Sequence, residues 1–121
     1  MTSLEIMKTV AAWHRIPWHV FVSPIMVREV SICRWEAWWL CRTINAQSYP
    51  LIGRICDFNH TSVLYGTRKF NKMILDGRAV DHRAELLEGR TPENVAVWHP
   101  SQNTVEWRKS HGTYQGWSDN V

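Results

Sequence analysis

The chain has 121 residues, 45% of them hydrophobic and 21% charged, with a formal net charge of +3. That length suits one domain, at roughly 100–200 residues each, and excludes a large multidomain enzyme. No run approaches the roughly 18 apolar residues of a membrane-spanning helix, and Met1 to Ile6 lacks the basic-then-apolar pattern of a secretory signal, so no membrane contact and a cytoplasmic location are expected.

The charge is unevenly spread. Residues 1–75 carry nine basic and four acidic side chains, and residues 76–121 carry five and seven. The basic stretch is suited to a polyanion, although an ordinary solvated surface gives the same counts. Three cysteines (Cys33, Cys41, Cys56) form no C-x-x-C pair. They read as small buried hydrophobes, and neither a metal nor a cofactor is expected.

The first predicted helix starts at Thr2, because Thr2-Ser-Leu-Glu5 fits a capping box. Ile6, Val10 and Trp13, with Met7 and His14, form one apolar stripe at helical spacing. Pro17 ends that element and opens a short helix from Trp18 to Val22, which Pro24 closes. Val27 to Asn45 contains neither Gly nor Pro and spaces Val30, Ala37, Leu40, Cys41 and Ile44 as a helix of about five turns. Arg34, Trp38 and Arg42 stack along another side of it. They read either as a solvated face, with a tryptophan under guanidinium groups, or as a ridge contacting phosphates.

Ser48 can cap a short helix from Tyr49 to Ile55, with Pro50 preset near its start. Cys56-Asp-Phe58 is a turn. Asn59 caps the next helix, His60 to about Leu75, with Val63, Leu64, Phe70 and Ile74 facing inward. Two helices joined by so short a turn read as a helix-turn-helix. The second presents Asn59, His60, Thr61 and Ser62 at an end that favours phosphate, with Arg68, Lys69 and Lys72 further along. A polar start followed by basic residues is what a helix entering the major groove needs. A capped surface helix with cations near its C-terminus accounts for the basic residues, but less well for the His-Thr-Ser cluster.

Asp76-Gly77 breaks this helix, and Ala79 to Leu87 reads as another short one ending near Gly89. Val95 to His99 and Thr104 to Lys109 alternate with period two and read as a β-hairpin pairing Trp98 with Trp107. His111 to Val121 reads as a loose tail. The expected fold is mainly α: a helix-turn-helix domain over residues 1–75 and a C-terminal extension over 76–121 with a short helix, a β-hairpin and a tail.

The stretch Ile52-Gly-Arg-Ile-Cys-Asp-Phe-Asn-His-Thr-Ser-Val-Leu-Tyr-Gly-Thr-Arg-Lys-Phe70 follows the pattern I-G-x-x-F-G-G-R-D-H-T-T-V-L-H-G-x-R-K-I. Lys8-Thr-Val-Ala-Ala-Trp-His-Arg-Ile16 follows K-x-V-A-x-Y-Y-x-I, and Ser48-Tyr-Pro-Leu-Ile-Gly53 follows S-L-P-E-I-G. On these motifs, about three fifths of the chain resembles the C-terminal duplex-DNA-binding domain of the bacterial DnaA replication-initiator family. The resemblance implies a helix-turn-helix whose second helix reads the major groove of a short asymmetric site. His60 and Thr61 match base-contacting positions, with Ser62 beside them, and Asn59 replaces the usual Asp. Arg34 and Arg42 fall where the long helix grips backbone, and Ser48 and Pro50 lie near a phosphate.

The departures also matter. Met26 stands where the family has a minor-groove arginine, so either Arg28 substitutes or that contact is gone. Asp57-Phe58 replaces a glycine pair in a turn one residue shorter, and the base preference is expected to differ. No G-x-x-x-x-G-K-[ST] occurs, so ATP-driven assembly is not expected.

The expected function is a sequence-specific double-stranded-DNA-binding regulator of transcription or replication, not an enzyme, held on the nucleoid. Asn59, His60, Thr61 and Ser62 would contact bases. Arg28, Arg34, Arg42, Ser48, Pro50, Arg68 and Lys69 would contact backbone. The alternative is a protein-interaction module on the same scaffold, because eight tryptophans exceed what one small core needs, and exposed aromatics anchor interfaces. Its partner would be a second copy of the chain, RNA polymerase or a replication protein. Six scattered histidines form no catalytic motif, and Asp81-His82 with Glu85 and Glu88 reads as a solvated helix face.

Overall fold

The computed structural model describes residues 1–99. Within them the chain folds into α1 (Ser3–Trp13), α2 (Trp18–Phe21), α3 (Arg28–Asn45), α4 (Tyr49–Cys56), α5 (His60–Leu75) and α6 (Arg83–Glu88). Local chemistry sets most of the starts. Thr2 accepts from the Glu5 N–H while the Glu5 carboxylate accepts from the Thr2 N–H, which completes the predicted capping box. Pro17, already at the extended backbone angles of a cap, opens α2. Ser48 Oγ accepts from the Leu51 N–H, and Asn59 Oδ1 from the Thr61 N–H. Gly77 and Gly89, both at φ above +70°, turn the chain after α5 and α6.

The core is built around α3. Twelve of its 18 residues are buried, in an unbroken run from Glu29 to Arg34 and again from Glu36 to Cys41. A helix covered on nearly every side is an interior element. It packs against α1 and α5, and α4 packs against α5. The α3–α5 crossing is close at Gly66. A Cβ added there would overlap the Trp35 ring edge and lie 2.8 Å from the Trp38 ring. Trp38 Nε1 donates to Cys56 Sγ, and Trp39 Nε1 donates to Asn71 Oδ1, so two of the packed indoles are also satisfied as donors. All three cysteines are free and buried, and desolvation pushes the Cys41 thiol up to about 12.

Residues 76–99 share this core. Leu86 and Trp98 belong to the same buried cluster as α1, α3 and α5. The Trp98 N–H donates to the His14 carbonyl, and His14 Nδ1 lies 2.7 Å from the Ala96 carbonyl. Glu36 of α3, buried, sits between two imidazoles: His14 Nε2 at 2.9 Å and His82 Nδ1 at 3.0 Å. Burial pushes the Glu36 carboxyl up. The hydrogen bonds from His14 and His82, and the charge on both rings, outweigh that and hold it below 4.5. The Glu36 hydrogen bond raises His82 above 6.5 against desolvation, and Glu85 and Asp81 act in the same direction.

Some expectations need correction. His82 is not part of a solvated face but turns inward onto Glu36 and packs edge-on against Trp13. The inward side of α5 is Val63, Gly66, Thr67, Phe70 and Met73, with Ile74 half-buried against the core as expected, whereas Leu64 is half-buried without joining it. The stripe is rotated because the Gly66 approach, invisible to a count of apolar residues, sets the helix orientation. The last helix begins at Arg83 rather than Ala79, because Asp81 accepts from the Arg83 N–H and starts it there. Residues 95–99 form no strand, and the return arm of the predicted hairpin and the tail lie outside the described residues.

Two outcomes are expected. Gly66→Ala forces α5 off the two indoles and lowers stability by roughly 1–3 kcal/mol. Thermal denaturation would read that as a fall in Tm of about 4–8 °C per kcal/mol. The ion network also gives stability a pH window. The His82 contribution is complete below its unfolded value near 6.5 and is lost as pH rises through its higher folded value. The Glu36 contribution is complete above 4.5 and is lost as pH falls through its lower folded value. Stability is therefore greatest between these limits, and Glu36→Gln, measured by melts across pH, flattens both flanks and costs roughly 1–3 kcal/mol at the top.

Candidate nucleic-acid interface

The turn between α4 and α5 is built from three residues. Asp57 takes the left-handed conformation at φ 61°, which a short polar side chain tolerates better than most. The Phe58 N–H then donates to the Gly53 carbonyl at 2.8 Å, and the Phe58 ring packs edge-on against Trp38. Gly53 has to be glycine, since a Cβ there would overlap the Phe58 carbonyl. Asn59 follows as the cap.

This turn projects the start of α5 outward. Asn59, His60, Thr61 and Ser62 are all exposed. The Asn59 Oδ1 is engaged in the cap at 2.7 Å from Thr61 N, which leaves its Nδ2 to face a ligand. Further along, Thr61, Leu64, Tyr65, Arg68, Lys69 and Lys72 line a shallow groove of about 280 Å³. Arg68 is exposed, Lys69 is half-buried with its ammonium over the Tyr65 ring, and Lys72 pairs with Asp76 at 2.8 Å. On the other side of the tip, Thr61, Ser62 and Tyr65 meet Met26, Trp35 and Phe58 around an apolar hollow of about 270 Å³. Met26 is 75% exposed and Tyr65 is 53% exposed.

Arg34 contradicts its expected place on a backbone-gripping ridge. It is 1% exposed, and Trp38, the next residue of that ridge, is buried too. The Arg34 guanidinium is enclosed by main-chain oxygens. Nε donates to Phe21 O at 2.8 Å, Nη1 to Ile25 O at 2.6 Å, and Nη2 to Val20 O at 3.1 Å and Ser23 O at 2.8 Å. Its flat face lies 4.8 Å from the centre of the Phe58 ring. Desolvation lowers its pKa to about 10, so it stays charged at neutral pH. A cation 1% exposed and held by four carbonyls is not presented to a phosphate.

The other expected backbone contacts are accessible to differing degrees. Arg42 is exposed, donates to Gln47 O at 2.8 Å and stacks over Tyr49. Ser48 and Pro50 are exposed at the start of α4 beside it. Arg28 is half-buried in the first turn of α3, and its Nε and Nη2 are shielded without a hydrogen-bond partner. Among the described residues, the tryptophans invoked as interface anchors are buried or half-buried. Trp13, Trp38, Trp39 and Trp98 are buried, and Trp18 and Trp35 are half-buried. Trp107 and Trp117 lie outside the described residues. Among the described residues no cluster of three His, Cys, Asp or Glu could hold a metal, and no helix is long and apolar enough to cross a membrane.

Sequence reasoning missed Tyr65 and Phe58. Tyr65 lies one helical turn from Thr61 on the same side, a spacing that could have flagged it. Phe58 could not be placed without knowing where Arg34 goes.

Comparison with known proteins adds to this geometry. The bacterial DnaA protein helix-turn-helix family matches residues 4–70. Similar relatives are the chromosomal replication initiator proteins DnaA of Jannaschia sp. (30% identity over 72% of this chain and 18% of that protein), Rhizobium johnstonii (31%, 69% and 18%) and Agrobacterium fabrum (30%, 76% and 19%). The chain thus spans less than a fifth of the length of these curated relatives. No solved structure matches.

Because Asn59 spends its carbonyl oxygen on the cap, Asn59→Ala is expected to cost about 1 kcal/mol of stability, whereas Asn59→Asp retains the cap. Chemical denaturation of the two variants beside the wild type measures the difference.

Proposed function

The chain belongs to the bacterial DnaA helix-turn-helix family, and on that premise we propose that it is a double-stranded-DNA-binding regulator reading the major groove with the N-terminal end of α5. The observation that carries this reading is the run of four exposed polar residues, Asn59 to Ser62, at a helix tip that the family match spans. An imidazole, two hydroxyls and the Asn59 amide offer donors and acceptors to base edges, each good contact being worth about 1–3 kcal/mol of discrimination. Arg68 and Lys69 continue along the same helix and neutralise phosphates. Arg42, Ser48 and Pro50 take backbone at the α3–α4 turn, where the exposed guanidinium already leans on Tyr49. Arg28, half-buried in the first turn of α3 with Nε and Nη2 shielded, takes a further backbone oxygen once its side chain swings outward. Phosphate contacts supply affinity and base contacts supply choice. The chain acts by occupying initiator-like sites, in replication control or transcription, and carries out no catalysis.

The test begins with selection of a preferred duplex from a random pool, followed by binding titrations on that duplex and a scrambled one. His60→Ala should reduce the preference roughly 5- to 150-fold while leaving the scrambled duplex nearly unaffected. Arg68→Ala should weaken both and lower the salt slope by about 1. Equal losses on the two duplexes for His60→Ala would refute its reading role. Binding indifferent to salt would remove the phosphate contacts from the account.

A further inference from the structure

We propose that Arg34 is a positioning residue for base recognition: it joins the loop at residues 20–26 to the tip of α5, so that the two face DNA as one unit. The inference rests on the reading just given and assigns Arg34 a role other than touching phosphate.

The geometry supports this in three ways. First, the four carbonyls that hold the guanidinium all belong to the end of α2 and the loop after it, namely Val20, Phe21, Ser23 and Ile25. Oxygens at the end of a helix lack the usual intrahelical partners, and a cation satisfies them, Val20 O accepting from Ser23 as well. One side chain therefore gathers four oxygens of a segment whose own bonds run from the Ser23 N–H and Oγ to Val20 O and from the Ile25 N–H to Ser23 Oγ. Second, the open face of the guanidinium lies on Phe58, the residue immediately before the Asn59 cap. Phe58 is locked from its other sides by the Gly53 carbonyl and the Trp38 ring. A shift of the guanidinium is passed to the Phe58 ring and so to the residue that precedes the Asn59 cap. Third, the two linked segments border the same hollow: Met26 from the loop stands opposite Thr61 and Ser62. Met26 is the most exposed large apolar residue near the tip. Met26 thus forms one wall of the hollow that Thr61 and Ser62 also line.

Lysine cannot reproduce this arrangement. It offers a point charge and three donors from one atom, where arginine offers a planar fork that reaches four separated oxygens and stacks on a ring.

The experiment compares Arg34→Lys with wild type on the selected and scrambled duplexes. It also measures amide hydrogen exchange of the free protein over residues 22–26 and 59–62. A positioning role predicts that affinity for the selected duplex falls about tenfold, while the scrambled duplex and the salt slope are unchanged. It also predicts that both amide segments exchange faster together. A phosphate contact predicts equal losses on both duplexes with a shallower salt slope, and overall destabilisation predicts equal losses with an unchanged slope. Either result overturns the proposal, as does unchanged protection at 59–62. Phe58→Leu keeps the carbonyl cage and removes only the ring, and it should reproduce the selective loss if Arg34→Lys does not fold. A wild-type protein that fails to distinguish the duplexes would refute the DNA-reading function, and the exchange at 59–62 would still decide whether Arg34 couples the two segments.

Discussion

The position of α5 depends on an absence of side chain. At Gly66 the helix lies directly on the rings of Trp35 and Trp38, with no room for a methyl group. Gly53 acts likewise in the preceding helix, letting the Phe58 carbonyl close the turn against α4. Together these two contacts set how far and at what angle the tip of α5 leaves the body of the protein. The exposed polar residues are a matter of composition. Their presentation is a matter of close packing behind them, since packed interiors resist adjustment.

The second constraint is electrostatic. α3 buries a cation at Arg34 and an anion at Glu36. Residues two apart on a helix do not face one another, so the pair cannot neutralise itself. Each charge is met separately, Arg34 by main-chain oxygens of the end of α2 and the loop after it, and Glu36 by two imidazoles, one just after α1 and one just before α6. Burying ions this way is costly unless every lone pair and proton finds a partner. In return, each charge accepts only one arrangement of the segment that surrounds it. The cation specifies the side of the molecule next to the α5 tip, and the anion specifies the side covered by residues 76–99.

What the sequence made legible follows from these two constraints. The caps at Thr2, Ser48 and Asn59, the break at Pro17 and the glycine stops at Gly77 and Gly89 were readable because each is decided within a few residues. The exposed tip was readable for the same reason. Arg34 was not. Its spacing with Trp38 and Arg42 describes one side of a helix, but whether that side meets water depends on a loop about ten residues away folding its carbonyls over it. His82 failed in the same manner, since a charged neighbour such as Asp81 suggests surface, and only the position of Glu36 shows otherwise. The tryptophan count suggested a surplus for export to an interface. In the described residues they form the interior, because a small helical body wrapped on one buried helix needs wide, flat side chains to fill it.

The family match ends at residue 70, but the protein's interior does not. Leu86 and Trp98 occupy slots in it, and one Glu36 oxygen is bonded by His82. Anyone wishing to graft this helix-turn-helix onto another polypeptide would find that it is no cassette with its border at the edge of the similarity. Cut there, it would keep an anion with half its bonding missing and three open slots, those of Met73, Leu86 and Trp98, in its hydrophobic packing. A workable excision carries the following thirty or so residues along, as the stopper that keeps the bottle closed.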